Sequence, residues 1–278
     1  KVLVNLGVDL NKVRTAVEAA FGESIQLGQE GRPADALEAA RRGLALTKAS
    51  DVDAAMRDRA TRFVEQAEIA VGAADRERAM LEQDETLRAR LVDLRLAQIA
   101  TIGNREREAE LHARFLQAFS DYGVDLDGEQ ITPALERMRE RHIAEEVALA
   151  LDDLGRLRRN LFGEAAEQFQ RVAVLAMDLD ADPERLRLRQ AILANDLPTL
   201  LELAAPENLG KLPPGSIWVL SATLWDRYPE QRPLVYRMYD QALYLYPGDY
   251  VLQSIGANLY RMVGRKEATL ACRSAAFS

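Results

Sequence analysis

Apolar positions recur along this chain at intervals of three and four residues, the spacing that lines one face of an α-helix. Leu10, Val13, Val17 and Phe21 form the first stripe; Ala36, Leu37, Ala40 and Leu44 form the second. Asp9 stands where an N-cap would open the first helix, and Gly22 where a C-cap would close it. Gly31-Arg32-Pro33 reads as the turn between them, with Pro33 suited to the first helical turn because no intrahelical amide donor is needed there. From Asp51 to about Ile102 the pattern lengthens. Met56, Phe63, Val64, Ala67, Ala70 and Val71 share a broad face, and Leu81, Leu87, Leu91, Leu94 and Ile99 continue it. Gly72 predicts a break, and Asp84, Thr86 and Gln98 spoil a strict heptad, so this section predicts two antiparallel packed helices rather than a coiled coil.

A helix over 104–122 should end in the turn-rich DYGVDLDGEQITP. Thr132 then predicts a cap and Pro133 a first helical position for a long charged helix carrying Leu135, Met138, Ile143, Val147, Leu149, Leu151 and Leu154. Asp182-Pro183 repeats the cap-plus-proline signal, two short helices should meet near Asn195-Asp196, and KLPPGS breaks the chain before a last group of short helices.

Composition fits this reading. Of 278 residues, 48% are hydrophobic and 29% charged, as in an ordinary folded protein, and helix-forming Ala, Leu, Arg and Glu dominate. Aromatics are only 6%. No run approaches the roughly 18 apolar residues of a membrane span. The single cysteine, Cys272, excludes an internal disulfide framework and fits a reducing, cytoplasmic setting. A net charge of −8 gives nucleic acid no general attraction, and the basic run GRLRRN is short.

The last section contains YRMYDQALYLYPGDYVLQSIGANLYRMVGRKEATLACRSAAFS. Tyr239, Ala242 and Pro247 have the large–small–proline spacing that closes a second helix. Leu252, Ile255, Gly256 and Leu259 suit the first helix of a following unit, and Ala268, Cys272 and Ala275 its second. Small residues at Gly256 and Ala268 would let paired helices approach, larger neighbours would fill the gaps, and Pro247 would enforce the turn. On these residues the section resembles the tetratricopeptide repeat, though Pro247 sits one residue late and Cys272 replaces the usual aromatic. SIWVLSATLWDRYPEQRPLVYRMYDQAL has the length of another helix pair, and GQEGRPADALEAARRGLAL resembles the turn and second helix of a further unit. The resemblance implies antiparallel helix pairs stacked as a right-handed solenoid, each pair shielding its neighbour's apolar face.

Two other stretches carry resemblances. Phe119, Tyr122-Gly123, Asp125 and the Ala150-Leu151-Asp152-Asp153 run resemble a segment of large planctomycete-type bacterial proteins, where it follows a serine/threonine kinase domain and precedes tetratricopeptide repeats. The opening, with Leu6-Gly7-Val8-Asp9-Leu10-Asn11-Lys12-Val13-Arg14, resembles the closing helix of the Clp amino-terminal domain, and it reads as the end of something longer. No phosphate-cradling G-x-x-x-x-G-K-[ST] follows it.

Catalytic signatures are sparse. His142 and Glu146 share a helical face but do not make the three or four ligands a zinc site needs, and His112 has no clear partner. Glu145-Glu146 and Asp152-Asp153 read as a solvated charged face, since adjacent helical residues point about 100° apart. Cys272 falls on a packing position. No catalytic residue, cofactor or metal is predicted. Both tryptophans and nearly all tyrosines lie late in the chain, and Tyr244, Tyr246, Tyr250 and Tyr260 are candidate partner-binding residues. The Lys and Asn pattern that clamps a C-terminal carboxylate is replaced by Gln253 and Ala257. The expected plan is a Clp-like tail at 1–22, helical hairpins with one degenerate repeat unit at 23–103, a helical-repeat region at 104–212 and tetratricopeptide-like repeats at 213–278. The expected function is a non-catalytic scaffold for protein or peptide partners, with no nucleic acid and no membrane, in a larger bacterial protein. The alternative is the regulatory region of a serine/threonine kinase whose catalytic domain lies outside these residues.

Overall fold

A computed structural model describes residues 10–50, 53–98, 101, 104–128, 131–141 and 143–276. Among them are fourteen α-helices and no strand, so the chain is all-α as its composition predicts. None of these helices is long and apolar enough to cross a membrane. The chain divides into two compact units, 1–83 and 84–278.

In the first unit α1 (Leu10–Gln29) and α2 (Pro33–Lys48) pack along each other across the predicted turn, where Gly31 adopts φ 74°. α1 does not end at Gly22. A glycine inside a helix costs only ~1 kcal/mol against alanine, which good helix formers on both sides outweigh. Phe21 stacks on Phe63 at 4.4 Å beside Val17 and Ala60. Leu37, Ala40, Val64 and Ala67 form a second small core. Gly43 is small for a reason: a Cβ there would stand 2.9 Å from the Phe21 ring.

Phe63 and Val64 belong to α3 (Ala54–Gln98), one helix of 45 residues. The expected pair of packed helices is therefore corrected. The chain passes through Gly72 without a break because no proline or turn cluster accompanies it. The boundary between the two units falls inside this helix.

The second unit begins with the end of α3, whose Leu87, Leu91 and Leu94 enter a core shared with α4 (Arg105–Asp121), α5 (Thr132–Glu140), α6 (Ala144–Phe162) and α7 (Glu167–Leu179). Asn104 caps α4 by accepting the Arg107 amide hydrogen. The single long helix expected from Thr132 onward is two, α5 and α6, with Arg141 turning inward between them to Asp84 at 2.7 Å. Asp9 and His142 lie outside the described residues.

A second core joins α8 (Pro183–Ala194), α9 (Leu197–Leu203), α10 (Pro206–Leu209), α11 (Pro214–Arg227), α12 (Arg232–Leu245) and α13 (Tyr250–Met262). Asp182 caps α8 through the Glu184 and Arg185 amides, as its sequence predicts. Asn195 takes the left-handed conformation at φ 58°, and Asp196 caps α9. α14 (Lys266–Ala276) closes the described chain against α13.

Candidate functional site

The least expected feature is a buried ionic network centred on α6. Asp152 and Asp153 do not form a solvated face: Asp153 is buried and the Asp152 side chain is only 8% exposed. Arg189 of α8 grips Asp152 through Nε at 2.9 and 3.1 Å and Nη2 at 2.9 Å, and gives Nη1 to Asp180 at 2.8 Å. Arg185 completes Asp180 at 2.6 and 2.9 Å. Asp153, 1% exposed, accepts from Arg95 of α3 at 2.7 Å and from the Trp218 indole of α11 at 3.0 Å. The carboxylates are buried because α3, α8 and α11 each bring a donor to α6. Sequence-adjacent reasoning could not see those partners.

Burial pushes the Asp152 carboxyl up to about 6, against the pull of Arg189. Asp180 is held below the usual carboxylate range by its two arginines, despite its burial. A small cavity of about 30 Å³ is lined by Asp152, Asp153, Arg189 and Trp218, room for one or two waters.

A second arm runs along α6. Arg156 stands 3.6 Å from both Glu108 and Asp226, and Arg159 stands 3.4 Å from Asp226. Burial, then the neighbouring Arg227, lowers Arg159 to about 10. Arg158 donates to Asp127 and to the Gln168 carbonyl, and reaches His112 Nε2 at 3.4 Å. Burial, then Arg158, lowers the His112 pKa, and its Nε2 accepts from the Arg158 Nε–H. The network neutralises charge and ties helices together. Among the described residues no three His, Cys, Asp or Glu side chains form a metal-binding group.

The surface next to this network is apolar. Trp218, Ala222 and Trp225 of α11 face Ile255, Leu259 and Met262 of α13 across a groove with about 50 Å³ of free space. The spacing puts each triplet on one helical face. Arg156 and Asp226 reach its polar end, and Met262 at the lip is 64% exposed. Trp225 meets Tyr236 edge-on at 5.8 Å and carries the Arg232 guanidinium 4.7 Å above its ring.

The predicted repeat-packing residues fall as follows. Tyr239 and Ala242 are wholly buried on α12, with the Tyr239 hydroxyl 3.3 Å from Ser221. Leu252 and Gly256 are buried on α13, and Leu259 is half-buried. A Cβ on Gly256 would meet Leu243 at 3.1 Å, Cys272 at 3.5 Å and Tyr239 at 3.7 Å, so this glycine sits where three helices approach. Pro247 is exposed in the α12–α13 turn, and its carbonyl accepts from Gln253. Ala268 packs against the Ala257–Tyr260–Cys272 cluster, and Ala275 is half-buried. Burial raises the Cys272 thiol pKa, with Asp240 adding to the rise.

The tyrosine expectation divides. Tyr244 is 85% exposed and Tyr250 is also exposed. Tyr260 is 2% exposed and donates to Asp240 at 2.6 Å, which removes it from any open binding surface. Tyr246 is half-buried and donates to the Leu212 carbonyl at 3.0 Å. Sequence reasoning missed the pair of tryptophans as groove residues, although Trp218, Ala222 and Trp225 already stand at helical spacing.

A scan of protein-family models, a search of curated proteins and a search of solved structures each return no match.

Proposed function

We propose that this chain is a non-catalytic helical-repeat scaffold that captures a segment of another protein. In this reading α11 with α12 and α13 with α14 are helix pairs of the tetratricopeptide kind, stacked in a right-handed sense. The close approach at Gly256 and the burial of Tyr239, Ala242 and Leu252 support the pairing. On the sequence resemblances alone, the reading makes the chain one section of a larger bacterial protein.

The observation that carries the proposal is the groove itself. One helix of each pair lines it, its floor holds two tryptophans, and a flexible methionine stands at its lip. Tryptophan anchors dominate protein interfaces, and methionine adapts to varied partners. The buried ions beneath would fix α11 through Asp153 and Trp218, so that the groove is formed before a partner arrives.

The test is quantitative co-purification from the source cell with the full chain, Trp225→Ala and the surface control Lys48→Ala. The proposal expects at least one protein retained by the parent and the control but lost with Trp225→Ala. Identical protein sets on all three would refute it.

A further inference from the structure

Charge along the section of chain that forms the groove is not balanced. Residues 213–276 contain seven Arg or Lys (227, 232, 237, 261, 265, 266 and 273) and five Asp or Glu (226, 230, 240, 249 and 267). Three of those acids are already committed. Asp226 lies against Arg156 and Arg159, Asp240 binds Arg265 and Tyr260, and Asp249 caps α13 through the Leu252 amide. The cations are not similarly spent. Among the described residues Arg232, Arg237, Arg261, Lys266 and Arg273 have no carboxylate within ion-pair distance. Against these five stand only Glu230 and Glu267.

Position makes the imbalance useful. The exposed Arg232 lies on the face of Trp225, at the edge of the groove floor. A guanidinium on an indole keeps its fork of donors turned outward for a carboxylate. We infer that the groove between α11 and α13 receives an acidic amphipathic segment. Its apolar side chains would seat on the Trp218–Trp225 floor and a carboxylate beside them would meet Arg232. This rests on the scaffold reading and adds the partner's chemistry to it.

The chain's net charge of −8 would repel such a segment from afar. At physiological salt the screening length is only about 8 Å, so the nearest charges decide the contact and the distant ones do not. A basic partner would meet the uncompensated Arg232 at Trp225.

The test is selection of a phage-displayed library of random 16-residue peptides on the full chain, with parallel selections on Trp225→Ala and on Arg232→Glu. Circular dichroism checks that both variants keep the helical fold. The best-enriched peptide is then made with a fluorescein label and titrated by anisotropy. The expected result is enrichment of peptides with net charge of about −3 or lower and apolar residues at helical spacing. Arg232→Glu should weaken the labelled peptide about tenfold or more and shift its own selection toward neutral or basic peptides. Raising salt to about 0.5 M should weaken binding to the parent as well. If neutral or basic peptides enrich on the parent and are lost with Trp225→Ala, the groove stands and the acidic partner is overturned. If nothing enriches, or enrichment is the same on Trp225→Ala, the groove reading falls and this inference with it.

Discussion

Arg189 and Asp152 should respond very unequally to removal, although they are partners. Arg189 is 2% exposed, and its guanidinium serves two carboxylates. Replacing it by methionine keeps much of the volume but strands Asp152 as a buried, unpaired charge. Breaking a buried pair in this direction costs about 3–5 kcal/mol at pH 7.5. Replacing Asp152 by asparagine leaves Arg189 with Asp180 at 2.8 Å. It also removes a carboxyl that burial has pushed from 3.8 to about 6. That rise corresponds to ~3 kcal/mol of folding free energy, present below pH 4 and lost as pH climbs through 6. Asp152→Asn should therefore lie within about 1 kcal/mol of the parent at pH 7.5. At pH 4.5 the same variant should fall behind the parent, because only the parent gains from protonation. Asp180 has the opposite sign: its pKa is lowered, so its contribution fades as pH falls. The parent-minus-Asn difference isolates Asp152 from it. The Arg189→Met penalty should shrink between pH 7.5 and 5 as Asp152 takes up its proton. Urea unfolding followed by tryptophan fluorescence suits the measurement, since Trp218 and Trp225 both lie in the second unit. Equal losses for the two variants at pH 7.5, or an Arg189→Met penalty independent of pH, would refute the reasoning.

Two further contrasts test the packing. Gly72→Ala, with nothing within 4 Å of the new Cβ, should stabilise the chain by about 1 kcal/mol, whereas Gly256→Leu, crowded by Leu243, Cys272 and Tyr239, should cost about 1–3 kcal/mol in the same denaturation assay. Tyr244→Ala should leave stability within about 0.5 kcal/mol of the parent, while Tyr260→Ala should cost about 3–5 kcal/mol, because one ring is in solvent and the other is buried.

Much of the fold was legible because apolar spacing and caps are local signals. Pro33 and Asp182-Pro183 start helices as predicted, and Gly31 turns the chain between α1 and α2. Glycine alone misled at Gly22 and Gly72, where the small cost of a glycine did not stop a helix rich in Ala, Glu and Arg. α7 was overlooked even though Phe169, Val172, Ala176 and Leu179 mark its buried face. The ionic network was illegible for a different reason. Asp152 and Asp153 are buried by Arg189, Arg95 and Trp218, which are 37, 58 and 65 residues away in sequence. Even α3 held a clue of this sort: Asp84 and Gln98 spoil the heptad, and both are buried, Asp84 against Arg141 and Tyr122, Gln98 against Arg156. The tyrosines teach the same lesson, since a hydroxyl partner such as Asp240 decides whether a ring faces inward or outward.

The 45-residue α3 has a practical consequence for dissecting the chain. A cut between 83 and 84 would follow the compact units yet sever a continuous helix near its second third. Each new end would expose four unpaired backbone groups, and the turns beside the wound would fray. A piece meant to stand alone should instead carry the rod whole, because Phe63, Val64 and Ala67 complete the cores of the first unit and Leu87, Leu91 and Leu94 that of the second.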